Sequence, residues 1–209
     1  LREHVGWDPA KDFAAVTLAV TAPNVLVVHS SVAAKSVSEL IALAKSKPGS
    51  LNFPTGGTGS SSSLAAELFK AMAAINVVEI PFSGSGPALL SILGGQTQFM
   101  FPSAGGAAPH VKSGKLRALA VSSAEPSALV PGLPTVSAAG LPGYESVQMS
   151  GVFAPAKTPG AIVRRLNQEI VRFLNTADAK EKFLNSGVEV VASTPDQFAT
   201  KIKTEVTRM

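Results

Sequence analysis

From Val25 to Val121 the chain alternates short apolar runs with amphipathic stretches, and this alternation narrows the possible folds more than any other feature. Strand, helix, strand in repetition predicts an α/β architecture with mostly parallel pairing, because a crossover helix returns the chain to begin the next parallel strand. Val25-Leu26-Val27-Val28 is the most β-prone part of a buried extended segment over 14–28. Ser36 and Glu39 fit a capping box, Val37, Leu40, Ile41 and Ala44 supply an apolar face, and Lys47-Pro48-Gly49 ends that helix. A strand follows at 51–54, then a helix over 64–72 with Leu64, Leu68 and Met72 as its stripe. A strand at 77–81 leads to a helix with Pro87 in its first position and Leu89, Leu90 and Leu93 inward. Strands at 98–101 and 115–121 flank a short segment at 109–113.

Prolines and glycines crowd residues 126–143, as in a surface connection between lobes. Beyond it the pattern predicts an extended run at 146–154 and a helix opened by Thr158-Pro159, with Ile162, Leu166, Ile170 and Phe173 on one stripe. A helix at 178–185, a strand at 188–191 and a last helix opened by Thr194-Pro195 complete the chain, with Phe198, Ile202 and Val206 inward.

Several function classes drop out. With 45% apolar and 15% charged residues, the 209-residue chain is globular rather than disordered. No run approaches the roughly 18 uninterrupted apolar residues of a membrane span, and Leu1-Arg2-Glu3-His4 lacks the residue succession of an export signal. Zero cysteines exclude disulfides, thiolate metal sites and cysteine nucleophiles. The 18 Lys and Arg against 14 Asp and Glu are scattered, so nucleic acid is not an expected partner, and the surplus favours anionic ligands only mildly. Nucleophile-elbow, phosphate-loop and dinucleotide fingerprints are all missing, and His4, His29 and His110 lack metal-ligand spacing. No metal, cofactor or catalytic residue is expected.

What remains is the small-residue run Thr55-Gly56-Gly57-Thr58-Gly59-Ser60-Ser61-Ser62-Ser63 between a strand and a helix. The first four amides of a helix have no internal partner and its N-terminus carries roughly half a positive charge, so this loop is suited to an anion. Phe82-Ser83-Gly84-Ser85-Gly86 and Pro102-Ser103-Ala104-Gly105-Gly106 follow two further strands. Loops after the C-terminal ends of parallel strands gather at one sheet edge, so the three turns should share a crevice. The expected ligand contacts are Thr55 through Ser61, Phe82, Ser83, Gly84, Pro102, Ser103 and Ala104. None of these turns brings a carboxylate, histidine or lysine, which suggests binding without chemistry. Two alternatives stay open: a hydrolase using Ser60 or Ser61 as nucleophile, and a solute-sensing regulatory partner.

Taken together, Asn24-Val25-Leu26-Val27-Val28, the turn at 55–61, Gly84-Ser85-Gly86-Pro87-Ala88-Leu89, Leu93-Gly94-Gly95-Gln96, the run from Ser113 to Val121, Leu133-Pro134-Thr135-Val136 and Gly140-Leu141-Pro142-Gly143-Tyr144 resemble the tripartite tricarboxylate transporter substrate-binding (Bug) family over essentially the whole chain. The resemblance implies a periplasmic solute receptor with a two-lobed, type II periplasmic-binding-protein-like α/β fold. It would close on a small carboxylate through main-chain amides, as a monomer, and deliver it to the membrane subunits of a transporter. It also implies an α/β lobe over 17–145 and a partial second lobe from 1–16 and 146–209. Members commonly carry Tyr where Phe82 stands and Asp where Pro102 stands, and begin well before Leu1. The chain therefore resembles an N-terminally truncated member that binds weakly or not at all, recognises ammonium groups poorly and exposes apolar surface on the outer lobe.

Overall fold

The computed structural model describes residues 6–8 and 11–208, so the expectations placed on Leu1 to His4 lie outside the described residues. The chain divides into two compact units, one formed by Ala22–Gln148 and the other by Leu1–Thr21 with Met149–Met209. The lobe boundaries expected from the sequence were residues 17 and 145.

The larger unit contains β2 (Val25–His29), α1 (Val37–Ser46), β3 (Asn52–Thr55), α2 (Ser61–Ala73), β4 (Val78–Pro81), α3 (Ser85–Leu93), β5 (Phe99–Met100), α4 (Ala104–Lys112) and β6 (Leu116–Val121). It is preceded by β1 (Phe13–Pro23). Mostly parallel pairing does not hold. β3 and β4 pair in parallel, but β2 lies between β5 and β6 and is antiparallel to both. β5 and β6 therefore run in one direction and β2 is the opposed strand. The chain enters β2 directly from β1 without a crossover helix, which leaves its direction free. Gln98 joins the two ladders, since its amide donates to Asn52 O at 2.8 Å while its Oε1 accepts from Asn52 N at 2.8 Å.

β2 is buried on both faces, which explains its continuous apolar run. Leu26 and Val28 face a core built by α1, α2, Phe53, Phe99, Phe101 and Tyr144, whereas Val25 and Val27 face α3 and α4. Fully burying each such side chain contributes about 1.5–3 kcal/mol. In the first core Phe69 of α2 meets Phe101 at 5.7 Å and Tyr144 at 6.3 Å between ring centroids, and the Tyr144 hydroxyl donates to Ala65 O at 2.8 Å.

Several helix faces and starts differ from expectation. α2 begins at Ser61 and buries Ala65, Ala66, Phe69 and Ala73, leaving Leu64 and Met72 of the expected stripe exposed. Ser62 and Ser63 point inward because their hydroxyls have hydrogen-bond partners there, which rotates the helix, and small alanines then fit close to the sheet. α3 begins at Ser85 with Gly84 as its cap, so Pro87 is its third residue, and Leu90 is 70% exposed while Ala88 and Ile92 are buried. The short segment expected at 109–113 is the end of α4, whose glycines at 105 and 106 are tolerated because Ser103 caps the N-terminus by accepting from Gly106 N. At α1, Ser36 caps Glu39 N as expected, but the Glu39 carboxylate reaches back to Lys35 N rather than to Ser36 N.

The smaller unit pairs β7 (Val147–Pro155), β1 and β8 (Glu189–Val190) in that order and adds α5 (Gly160–Leu174), α6 (Ala177–Asn185) and α7 (Pro195–Arg208). α5 packs through Val163 and Ile170 on Val16 and Ala154. Of its expected stripe, Ile162, Leu166 and Phe173 are exposed, and α5 starts at Gly160 with no side-chain cap from Thr158. In α7 Phe198 is buried but Val206 is exposed. With Trp7 and Phe13 also exposed, this unit presents apolar side chains to solvent. Among the described residues no helix is long and apolar enough to cross a membrane.

Candidate functional site

The candidate site is a cavity of about 390 Å³ in the larger unit. Gly56, Ser60, Ser61 and Ser62 line it from the β3–α2 turn, and Ser85, Gly86 and Leu89 line it from α3. Met100, Phe101, Pro102, Ser103 and Gly106 contribute from the end of β5 and the start of α4, and Gln148 completes the wall. Every lining residue among the described ones is uncharged. The polar character comes from amides and hydroxyls, and Leu89, Met100 and Phe101 form an apolar surface beside them.

Three helix N-termini contribute to this one cavity, and their caps decide which amides stay available. Ser60 caps α2, its Oγ accepting from Ser63 N at 3.2 Å, and Leu64 N turns back to Ser60 O. The amides of Ser61 and Ser62 are left without a hydrogen-bond partner among the described residues. In α3, Ala88 N closes onto Gly84 O and Pro87 has no N–H, so the unpartnered donors there are Ser85 and Gly86. Asn24, almost fully buried, donates from Nδ2 to Ser61 O at 3.1 Å and anchors the start of α2 against the entry to β2. A helix N-terminus favours negative charge through such amides and through its dipole.

Of the expected contacts, Gly56, Ser60, Ser61, Pro102 and Ser103 line this cavity. The others lie elsewhere. Thr55 is fully buried and its hydroxyl donates to Glu79 Oε1 at 2.7 Å. Gly57 and Gly59, with φ of +108° and +80°, shape the turn behind the wall, and Thr58 is exposed on it. Phe82 packs into the core on the α3 and α4 side, Ser83 is exposed and Gly84 caps α3. Ala104 faces a different, larger groove of about 630 Å³ between α4, β6 and residues 130–133. That groove is mainly apolar, and Arg117 at its wall already donates to Val32 O and Ala34 O.

The cavity is also lined by Ser62, Ser85, Gly86, Leu89, Met100, Phe101, Gly106 and Gln148, which were not among the residues expected from the sequence. A stricter use of capping rules finds part of this set: once Gly84 is the cap, the next two residues carry the orphan amides. Gln148 and Phe101 have no local signal. As for chemistry, Ser60 Oγ is shared between Ser63 N and Ser62 Oγ (3.0 Å), and the His29 ring pairs with Ser31 Oγ (2.7 Å) outside the cavity. Among the described residues no group of three His, Cys, Asp or Glu could hold a metal ion.

Comparison with known proteins places this geometry in context. A family profile described as "Tripartite tricarboxylate transporter family receptor" matches residues 1–209. A "UPF0065 protein in tcbD-tcbE intergenic region" of Pseudomonas sp. (strain P51) is 34% identical, covering 98% of this chain and 61% of its own length. "Protein BugT" of Bordetella pertussis is 33% identical, covering 100% of this chain and 64% of its own. The chain thus spans somewhat less than two thirds of these relatives. Among solved structures, "R. palustris Rpa4515 with adipate" superposes with a TM-score of 0.84 at 32% identity, covering 100% of this chain and 70% of that one. "MatC (Rpa3494) from Rhodopseudomonas palustris with bound malate" does so with a TM-score of 0.80 at 31% identity, covering 100% and 72%. The α/β fold expected from the sequence, that of periplasmic binding proteins, is the fold these neighbours share.

Proposed function

Because the chain belongs to the tripartite tricarboxylate transporter receptor family, we propose that it acts as a periplasmic solute-binding protein. It captures a small organic carboxylate in the uncharged pocket of the larger unit and presents it to the membrane subunits of a tripartite-type transporter, without chemistry.

One observation carries this reading: the unpartnered amides of Ser61, Ser62, Ser85 and Gly86 belong to residues of a single cavity. Charge-assisted hydrogen bonds contribute about 1.5–3 kcal/mol each. Two or three of them reach the roughly 4 kcal/mol of millimolar binding. The similar structures with adipate and with bound malate support a carboxylate as the ligand class. Within that class the pocket favours acids without an ammonium group. Among the described residues no lining carboxylate offsets a positive charge, and the amide-bearing helix ends disfavour one.

The test is a titration of the protein with adipate, malate, citrate and glutamate, followed by amide chemical shifts. Adipate or malate should move the resonances of Ser61, Ser62, Ser85 and Gly86, with glutamate weaker and the uncharged diamide of adipic acid without effect. Shifts confined to other residues, or equal shifts with the diamide, would overturn the reading.

A further inference from the structure

We propose that Glu79 is a positioning residue that holds the turn 56–62 in the geometry presenting its amides to the pocket; this rests on the reading of that pocket as the carboxylate site. Glu79 does not line the cavity. It stands on β4, in parallel register with Phe53 of β3, and is half-buried. Its Oε1 accepts two hydrogen bonds, from Thr55 Oγ1 at 2.7 Å and from Ser63 Oγ at 2.8 Å. Thr55 is the last residue of β3 and Ser63 the third of α2, so a single carboxylate oxygen ties both ends of the pocket-forming turn to the sheet.

Both donors are buried, at 0% and 3% exposure, and neither hydroxyl has another acceptor among the described residues. Removing the acceptor strands two hydroxyls away from water, and such groups are costly to leave unpaired. The bracket accounts for Thr55, whose hydroxyl holds the turn instead of meeting the ligand. Only an acceptor oxygen is needed for the two bonds, so a neutral amide at this position preserves them.

The experiment compares unaltered protein with Glu79→Ala, Glu79→Gln and Ser63→Ala. Amide hydrogen exchange is measured without ligand at Gly56, Ser60, Ser63 and Leu64, whose N–H groups are hydrogen-bonded in and beside this turn, and adipate affinity is measured by calorimetry. Glu79→Ala is expected to speed exchange in this turn and to weaken adipate binding by about 10-fold, the equivalent of roughly 1.4 kcal/mol or one ordinary hydrogen bond. Glu79→Gln restores both, and Ser63→Ala, which deletes one of the two bonds, falls between. Should Glu79→Ala fail to fold, Ser63→Ala against the unaltered protein carries the test. Unchanged exchange in Glu79→Ala or Ser63→Ala, or a Glu79→Gln turn as loose as the alanine variant's, overturns the proposal. If the unaltered protein takes up no adipate, the carboxylate reading fails, while the exchange comparison still decides whether Glu79 holds the turn.

Discussion

A methyl group on Gly56 would lie 3.1 Å from the amide nitrogen of Ser85, so the turn entering α2 rests directly on the first residue of α3. That approach places the starts of two helices side by side along one cavity. A side chain at 56 pushes against backbone, which has little room to yield. Gly56→Ala is therefore expected to destabilise the protein by about 1–3 kcal/mol, the usual cost of overpacking, and to weaken adipate binding. Urea unfolding with amide shift titration checks both, and a variant with unaltered stability and binding would show that the contact is loose.

Ser60 Oγ caps α2 by accepting from Ser63 N and shares a further hydrogen bond with Ser62 Oγ. Ser60→Ala should cost about 1 kcal/mol of stability through loss of the cap, whereas Ser60→Gly should cost only a few tenths. Neither change should alter any ester turnover by the protein. Chemical denaturation and a chromogenic ester assay on both variants test this, and turnover lost in both would revive the hydrolase alternative.

The Phe69 ring is fully buried among Phe99, Phe101 and Tyr144. Phe69→Ala should cost about 3–5 kcal/mol, as large-to-small changes at such sites do. Tyr144→Phe removes only the hydroxyl bond to Ala65 O and should cost about 1 kcal/mol. Denaturant midpoints compare the two directly. Equal costs would mean that the tyrosine hydroxyl, rather than ring packing, dominates this part of the core.

In α5, Ile162 and Phe173 are 51% and 56% exposed. Replacing both with lysine should lower binding of a hydrophobic dye and reduce concentration-dependent self-association. Each change should shift stability by no more than about 0.5 kcal/mol, as expected for exposed positions. Fluorescence titration and light scattering provide the readouts, and a large stability loss would show that these side chains are packed.

Periodicity and punctuation made much of the fold legible. The apolar run at β2 and the Ser36 cap read correctly because each is governed by residues within one helical turn or one strand; the three Gly/Ser turns stand between the expected strands and helices but end earlier than expected, since α2, α3 and α4 begin at Ser61, Ser85 and Ala104. Errors came where a distant partner chose between local options. Ser62 and Ser63 appear as loop residues to any local rule, yet one accepts from Gly56 N and the other donates to Glu79. That choice moved the start of α2 and turned Leu64 and Met72 outward. The same holds for the site: amide-rich turns could be recognised, but which amides remain free depends on where each cap falls.

By itself the sequence determined that this is an α/β chain whose strand-to-helix turns are rich in small residues, since strand and helix periods and the conformational needs of glycine are local properties of the backbone. Only the tertiary structure decided that β2 runs against β5 and β6, that Thr55 turns to Glu79, and that Gly56 brings two helix ends to one cavity. These outcomes depend on contacts between residues far apart along the chain, and no local preference encodes which distant donor will meet which acceptor.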